Sequence, residues 1–269
     1  METILVATDF APSATNALDY AAALATAQHY QLLLVHVYDI PFIYTGDGLA
    51  LYTINDGVSA AKERLEEERQ RVSKAYPGLN IATSLPMGGF RESLVALEEE
   101  LKPVLILMGA GGVYTDLWQW DDDWLDTVTG SACPVLIVPE HISYHPFRDI
   151  AFACDYKRSI TPEQLRIIQA VMQSPDTRLH VIHVTEDRGQ QDRKIQLLLD
   201  TLAPFSPEYH FIEGRHVVRE IARFVQERPV DLLMVTPHRH GLWYNLFNKS
   251  YTRQLAQFNT IPVVAIPDK

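Results

Sequence analysis

Cysteine is nearly absent from this sequence, since only Cys133 and Cys154 occur in 269 residues. Two cysteines within separate apolar runs do not make a disulfide framework, which fits a reducing compartment. Long apolar runs are missing too: nowhere do eighteen uncharged apolar residues follow one another, and the amino terminus lacks the basic start of an export signal. We therefore expect a cytoplasmic protein that neither spans a membrane nor is exported.

Positive charge is also scarce, and it is unevenly distributed. The formal net charge is -11. Residues 1–141 contain 7 Lys and Arg against 20 Asp and Glu, a net charge of -13, whereas residues 142–269 contain 16 against 14, a net charge of +2. Neutralising phosphates requires a surplus of Lys and Arg, so we exclude a general nucleic-acid partner.

What the sequence does contain is a pattern that occurs twice. Three pairs of apolar segments form this repeat: residues 4–9 with 150–155, 32–37 with 179–184, and 133–139 with 261–267. Both segments of the first pair end in Asp, and both of the second end in His-Val. Both segments of the third pair have Pro-Val at their second and third positions and end in Pro. The repeat predicts two copies of one α/β unit.

Helical segments separate the apolar ones in both halves. An Ala-rich stretch covers residues 14–27, and in the second half Thr161 reads as a helix N-cap with Pro162 at the first helical position. The predicted order in each half is β-α-β-α-β-α-β-α-β, which gives an open, five-stranded parallel sheet flanked by helices, a Rossmann-like fold. We expect domain 1 at 1–141, a linker at 142–148 and domain 2 at 149–269. Residues 41–57, with three glycines and no counterpart, are predicted to be an inserted loop or lid.

Ligands of such sheets bind beyond the carboxyl ends of the strands, where the strand order reverses. The segments there are Asp9, His36-Val37 and the glycines after Met108, with Asp155 and His183-Val184 in the second half. On these residues the chain resembles the universal stress protein family over nearly its whole length, in the tandem two-domain form. The resemblance implies an adenine-nucleotide alpha hydrolase-like fold of strand order 3-2-1-4-5, ATP or AMP as ligand, and a role in stress responses.

The phosphate loop of the family, G-x-x-G, nine residues and G-[ST], is altered in both halves. The first half keeps Gly109 and Gly112 but has Asp121-Asp122 in place of Gly-Ser. A carboxylate about 4 Å from a phosphate charge near a surface costs roughly 4 kcal/mol. The second half has Arg239 and Lys249 in place of glycines and keeps the hydroxyl of Ser250. We interpret the second loop as occluded in preference to an anion site held by its basic side chains.

The leading hypothesis is non-catalytic binding of an adenine nucleotide or another anion. Its candidate residues are Asp9, Val37, Gly109 and Gly112 in the first half, and Asp155, Val184, Arg239, Lys249 and Ser250 in the second. No catalytic residue and no metal site is assigned, because no nucleophile motif is present and His36 and His183 are expected to pack or to form hydrogen bonds.

Two alternatives stay open. One is a nucleotide-free protein that acts as a homodimer or an internal pseudo-dimer, through the fifth strands and the loops of Trp118, Trp120 and Trp243. The other is a weak Mg²⁺-dependent ATP hydrolase, for which only the acidic run Asp121-Asp122-Asp123 offers a metal ligand.

Overall fold

The structure is a computed structural model that describes residues 2–39, 49–110, 130–154, 159–172, 174–185, 193–236 and 260–267, with the backbone alone at 49–54 and 193–195. The chain divides into two compact units. The first comprises Met1–Thr127 and Ile137–Tyr144, and the second comprises Val128–Leu136 and His145–Lys269.

The first sheet has the strand order β3-β2-β1-β4-β5. Its strands are β1 (Thr3–Ala7), β2 (Gln31–Val35), β3 (Ile81–Ser84), β4 (Leu105–Ala110) and β5 (Val135–Pro139). Strands β1 to β4 are parallel and belong to the first unit, whereas β5 is divided between the two units. The described helices of the first unit are α1 (Pro12–Gln28), α2 (Leu49–Ala75) and α3 (Phe90–Leu101). Ile4 pairs with Leu32 on one side and with Leu105 on the other. The strand order 3-2-1-4-5 is therefore confirmed here.

The second unit repeats that order as β8-β7-β6-β9-β10. Its strands are β6 (Asp149–Ala153), β7 (Arg178–Thr185), β8 (Glu208–Glu213), β9 (Leu232–Val235) and β10 (Val263–Ala265). Its helices are α4 (Pro162–Val171), α5 (Arg193–Leu202) and α6 (Val217–Glu227), with a 3-10 turn at Ala203–Phe205. The predicted α/β class with two Rossmann-like sheets is thus confirmed.

Near-continuous apolar runs form the central strands because helices cover both faces of each sheet. Ile4, Leu5 and Val6 are fully buried in β1, and Phe152 in β6 is 1% exposed. In α1, Ala17, Ala21, Ala22 and Ala25 are all fully buried, and their small side chains let the helix lie close to the sheet.

Helix α4 begins where the sequence predicts. Thr161 is the N-cap, and its side-chain hydroxyl accepts a hydrogen bond from the backbone N–H of Gln164 at 3.2 Å. Gln164 Oε1 accepts in return from the backbone N–H of Thr161 at 3.0 Å, which completes a capping box. Gln164 is buried, and its Nε2 also donates to the carbonyl of Pro267.

The predicted loop at residues 41–57 is wrong in its second part, because α2 starts at Leu49. Gly57, which indicated a loop, lies within this helix, where a Cβ would overlap the phenol of Tyr38 and approach its Cζ to 2.9 Å. Tyr38 is held in place by hydrogen bonds from its backbone N–H to Pro86 and to its carbonyl from Gly88. This glycine thus makes room for a neighbouring ring. Residues 41–48 lie outside the described residues.

Within the described part of the chain, no helix is long and apolar enough to cross a lipid bilayer.

Candidate functional site

The strand order of the first unit reverses between β1 and β4. The chain leaves β1 through α1 to reach β2 on one side, and it leaves β3 through α3 to reach β4 on the other. The carboxyl ends of β1 and β4 therefore border the crevice in which ligands of such sheets bind. Thr8 and Asp9 follow β1, and Gly109 lies near the end of β4.

A tight turn after β1 fixes Asp9. The exposed carboxylate accepts a hydrogen bond through Oδ1 from the backbone N–H of Ala11 at 2.9 Å, and the hydroxyl of Thr8 accepts one from the N–H of Phe10 at 2.9 Å. Phe10 adopts a φ of 66°, a left-handed conformation that is uncommon for a large side chain. The turn thus orients one carboxylate at the mouth of the crevice.

Two rings and a guanidinium stack beside this turn. The ring centroids of Phe10 and His36 are 4.5 Å apart, and the guanidinium carbon of Arg64 lies 4.2 Å from the centre of the Phe10 ring. His36 Nδ1 donates to the carbonyl of Thr8 at 2.8 Å, the kind of hydrogen bond that was expected of this histidine. The next residue, Val37, is half-buried. Phe10 was not predicted as a site residue, although an aromatic residue directly after Asp9 is a sequence signal for this contact.

Gly109 lies against the start of α1. A Cβ at this position would overlap the carbonyl group of Ser13 and would lie 2.7 Å from the backbone nitrogen of Ala14. The geometry therefore gives Gly109 a packing role, and its predicted contact with a nucleotide stays a prediction. The N-cap of α1, Ala11, provides no side-chain hydrogen bond, and Pro12 at the first helical position has no N–H. The N-cap side chain therefore leaves the N–H groups of Ser13 and Ala14 uncapped, and such groups at a helix start bind anions.

Of the remaining predicted site residues, Val184 lies in the described part of the second unit, and the others lie in segments that the structure does not describe. Val184 is buried near the end of β7, with 9% of its surface exposed. Gly112, Asp155, Arg239, Lys249 and Ser250 lie outside the described residues, as do Trp118, Trp120, Trp243 and the run Asp121-Asp122-Asp123.

Comparison with known proteins connects this crevice to a family. A sequence model described as the universal stress protein family matches residues 1–121, the part of the chain that includes β1, α1, β2 and β4. The first half of the chain belongs to the universal stress protein family. No curated protein matches the chain.

Solved structures extend the likeness in fold to nearly the whole length of the chain. A universal stress protein from Archaeoglobus fulgidus has 14% identity and a TM-score of 0.72 over 98% of this chain and 96% of that chain. A putative universal stress protein from Pseudomonas aeruginosa has 18% identity and a TM-score of 0.59 over 99% and 93%. At these identities the likeness shows the fold, in its tandem form, and no activity.

Proposed function

We propose that the first unit of this universal stress protein binds an adenine nucleotide, such as ATP or AMP, or another small anion, without turnover. The observation that supports the proposal is the exposed carboxylate of Asp9, which the Ala11 N–H orients at the reversal point of the strand order. A carboxylate beside the crevice can accept hydrogen bonds from ribose hydroxyls, as an acidic residue farther along the chain does in dinucleotide-binding folds.

The amino end of α1 is the second feature that supports the proposal. Gly109 lets the end of β4 approach Ser13 and Ala14 in the first turn of this helix, so the N–H groups that Ala11 leaves uncapped lie beside the same crevice. The positive end of a helix dipole favours a phosphate there. The proposal omits turnover because the sequence contains no nucleophile motif.

Calorimetric titration with ATP, ADP and AMP, with and without Mg²⁺, tests the proposal. We expect saturable binding that Asp9→Asn weakens by roughly tenfold or more, because a hydrogen bond to a charged group contributes about 1.5–3 kcal/mol. Asp176→Asn is the matched control, since Asp176 is an exposed aspartate in a turn of the second unit. Binding that Asp9→Asn leaves unchanged would place the ligand elsewhere and overturn the proposal, and Mg²⁺-dependent phosphate release would indicate the hydrolase.

A second candidate, a nucleotide-free protein that binds a partner, is favoured by one observation. The Phe10 ring already lies against His36 and under Arg64, at the carboxyl ends of β1 and β2. If this stack blocks the crevice, wild-type protein will release no heat with any nucleotide and Phe10→Ala will gain binding. If neither the wild type nor Phe10→Ala binds a nucleotide, the crevice is not a nucleotide site, and Phe10 is not what blocks it.

Dimerisation remains part of this second candidate. The fifth strands, which were expected to form the interface, are buried within one chain: Val138 is fully buried in β5 and Val264 is 4% exposed in β10. Light scattering decides between a monomer of 30.5 kDa and twice that mass.

A further inference from the structure

Three side chains that commonly bind metals meet on one face of the second sheet. His180 lies on β7, and Glu208 and His210 lie on β8. The parallel register places His180 beside Glu208 and Ile182 beside His210. Alternate residues of a strand share a face, so the three side chains point to the same side. They lie toward the amino ends of β7 and β8. Ligands of this fold bind at the other ends of the strands, the carboxyl ends.

The spacing of their donor atoms fits a single ion. His180 Nδ1 is 3.1 Å from His210 Nε2 and 3.3 Å from Glu208 Oε2, and His210 Nε2 is 3.8 Å from the same carboxylate oxygen. Zinc binds nitrogen and oxygen ligands at about 2.0–2.2 Å, which separates the ligands of a tetrahedral site by roughly 3.3–3.6 Å. The three atoms therefore occupy positions close to three corners of a tetrahedron.

A second layer of hydrogen bonds orients His180. Its Nε2 lies 3.0 Å from Asp149 Oδ1, while the guanidinium of Arg178 donates to Asp149 Oδ2 at 2.7 Å. Asp149 thus bridges His180 and Arg178, with one carboxylate oxygen on each. The contact with Asp149 directs the other ring nitrogen, Nδ1, toward Glu208 and His210. Metal-binding histidines are typically oriented by a carboxylate in this way.

His210 and Glu208 complete the conditions for binding. His210 Nε2 faces the same point as His180 Nδ1, 3.1 Å from it, and lies 3.8 Å from Glu208 Oε2. The Phe224 ring covers His210 at 4.7 Å between centroids. The side chain of Glu208 is 54% exposed, against 7% for His180, so the site opens to solvent on the Glu208 side. An ion can enter there and keep a water molecule as its fourth ligand.

We propose that His180, Glu208 and His210 bind a divalent cation of the zinc class, with Asp149 positioning His180. Two imidazoles and one carboxylate favour zinc and its neighbours over Mg²⁺ or Ca²⁺, which prefer sites made of oxygen alone. The competing interpretation is a hydrogen bond from His210 Nε2–H to His180 Nδ1 with no ion, and it predicts no metal uptake.

The experiment is a titration of the full-length protein, first treated with EDTA, with Zn²⁺ against a chromophoric chelator, and with Co²⁺ followed by its visible absorption. We expect one strong equivalent of Zn²⁺, a tetrahedral Co²⁺ spectrum, and no competition from millimolar Mg²⁺. Bound metal should also raise the melting temperature, because the ion binds only the folded state. Failure to bind Zn²⁺ or Co²⁺ overturns the proposal.

Variants locate the ion. Glu208→Gln combined with His210→Gln should abolish the strong equivalent, and Asp149→Asn should weaken it by about 10–100-fold, the usual effect of losing an outer hydrogen bond to a ligand. His216→Gln is the matched control, because His216 is an exposed histidine that precedes α6. Equal binding by the double variant and the wild type would show that the ion binds elsewhere, for example at His238 and His240.

Circular dichroism of each variant in EDTA establishes that it is folded before metal is added. If the Asp149→Asn variant does not fold, the double variant at the more exposed Glu208 and His210 still decides the proposal. The result is independent of the nucleotide titration, because Asp9 belongs to the first unit and the metal ligands belong to the second.

Discussion

Single residues in this protein have roles that their neighbours in space determine. Gly109 belongs to the altered phosphate loop of the sequence, yet a Cβ at this position meets the backbone of Ser13 and Ala14. The glycine is therefore needed for packing whether or not a nucleotide binds. The same applies to Gly57, which accommodates Tyr38 inside α2.

Gly109→Ala is expected to destabilise the first unit. The added methyl group meets backbone atoms, which cannot rotate away, so we expect a loss of about 1–3 kcal/mol in the free energy of unfolding. Urea denaturation measures it. Gly89→Ala is the control, because there the methyl group meets only the mobile carboxylate of Glu92 and the cost should be below about 1 kcal/mol. Equal effects of the two changes would contradict the packing role of Gly109.

Among the elements, α4 offers the clearest test of a local sequence pattern. Thr161 and Gln164 form the capping box, and Thr161→Ala removes one of its two hydrogen bonds. We expect a loss of about 1 kcal/mol in the free energy of unfolding. Thr201→Ala in α5 serves as the control, since Thr201 bonds back to Leu197 within its own helix and alanine favours helix. Thermal unfolding of both variants measures the difference, and a neutral Thr161→Ala would show that the cap is dispensable.

Helix α2 gives a pH-dependent prediction. Hydrogen bonds from Arg69 and then Gln70 lower the pKa of Glu66 to about 2. Because the folded carboxyl has the lower pKa, its stabilising contribution is complete above the ordinary pKa of 4.5 and is lost as the pH falls toward 2. The melting temperature of Glu66→Gln should therefore lie below that of the wild type at pH 7 and approach it at pH 2. A difference that does not change with pH would contradict this ion pair.

The elements also show why part of the structure could be predicted from the sequence. Buried runs such as Leu232–Val235 are apolar in every position, and the apolar pattern alone identifies them. Strand β8, Glu208–Glu213, is the edge strand, is only partly buried, and has Glu at both ends and His210 within it, so it gave no such pattern. The pairing of His180 with Glu208 depends on this strand, and the group formed by His180, Glu208 and His210 therefore could not be predicted. The alternating Glu208 and His210 was the one sign of it.

At the scale of the whole molecule, the repeated strand order could be predicted because right-handed crossovers leave few ways to connect five parallel strands. The division of the chain into units depends instead on tertiary packing. Pro139 and Ile142 accept hydrogen bonds from Asn16 in the first unit, whereas Arg148 donates its N–H to Asp231 in the second. The expected linker at 142–148 is thus anchored at both ends, and the expected boundaries stay a prediction.

A fragment experiment tests the division. The second unit includes Val128–Leu136, so a fragment of residues 145–269 lacks part of it. We expect this fragment to melt at a lower temperature, and over a broader range, than the full chain. Calorimetry of the fragment and the intact protein makes the comparison. A fragment with the full melting temperature and a sharp transition would show that Val128–Leu136 contributes nothing to the second unit.

The same division has a consequence for synthesis. The ribosome produces Val128–Leu136 before Ile137–Tyr144, which belongs to the first unit, and before all the rest of the second. Translation proceeds at about 5–20 residues per second, so on the order of ten seconds pass before the rest of the second unit has been synthesised. During that interval the apolar residues of the early segment, Val135 and Leu136 among them, are candidates for protection by a chaperone.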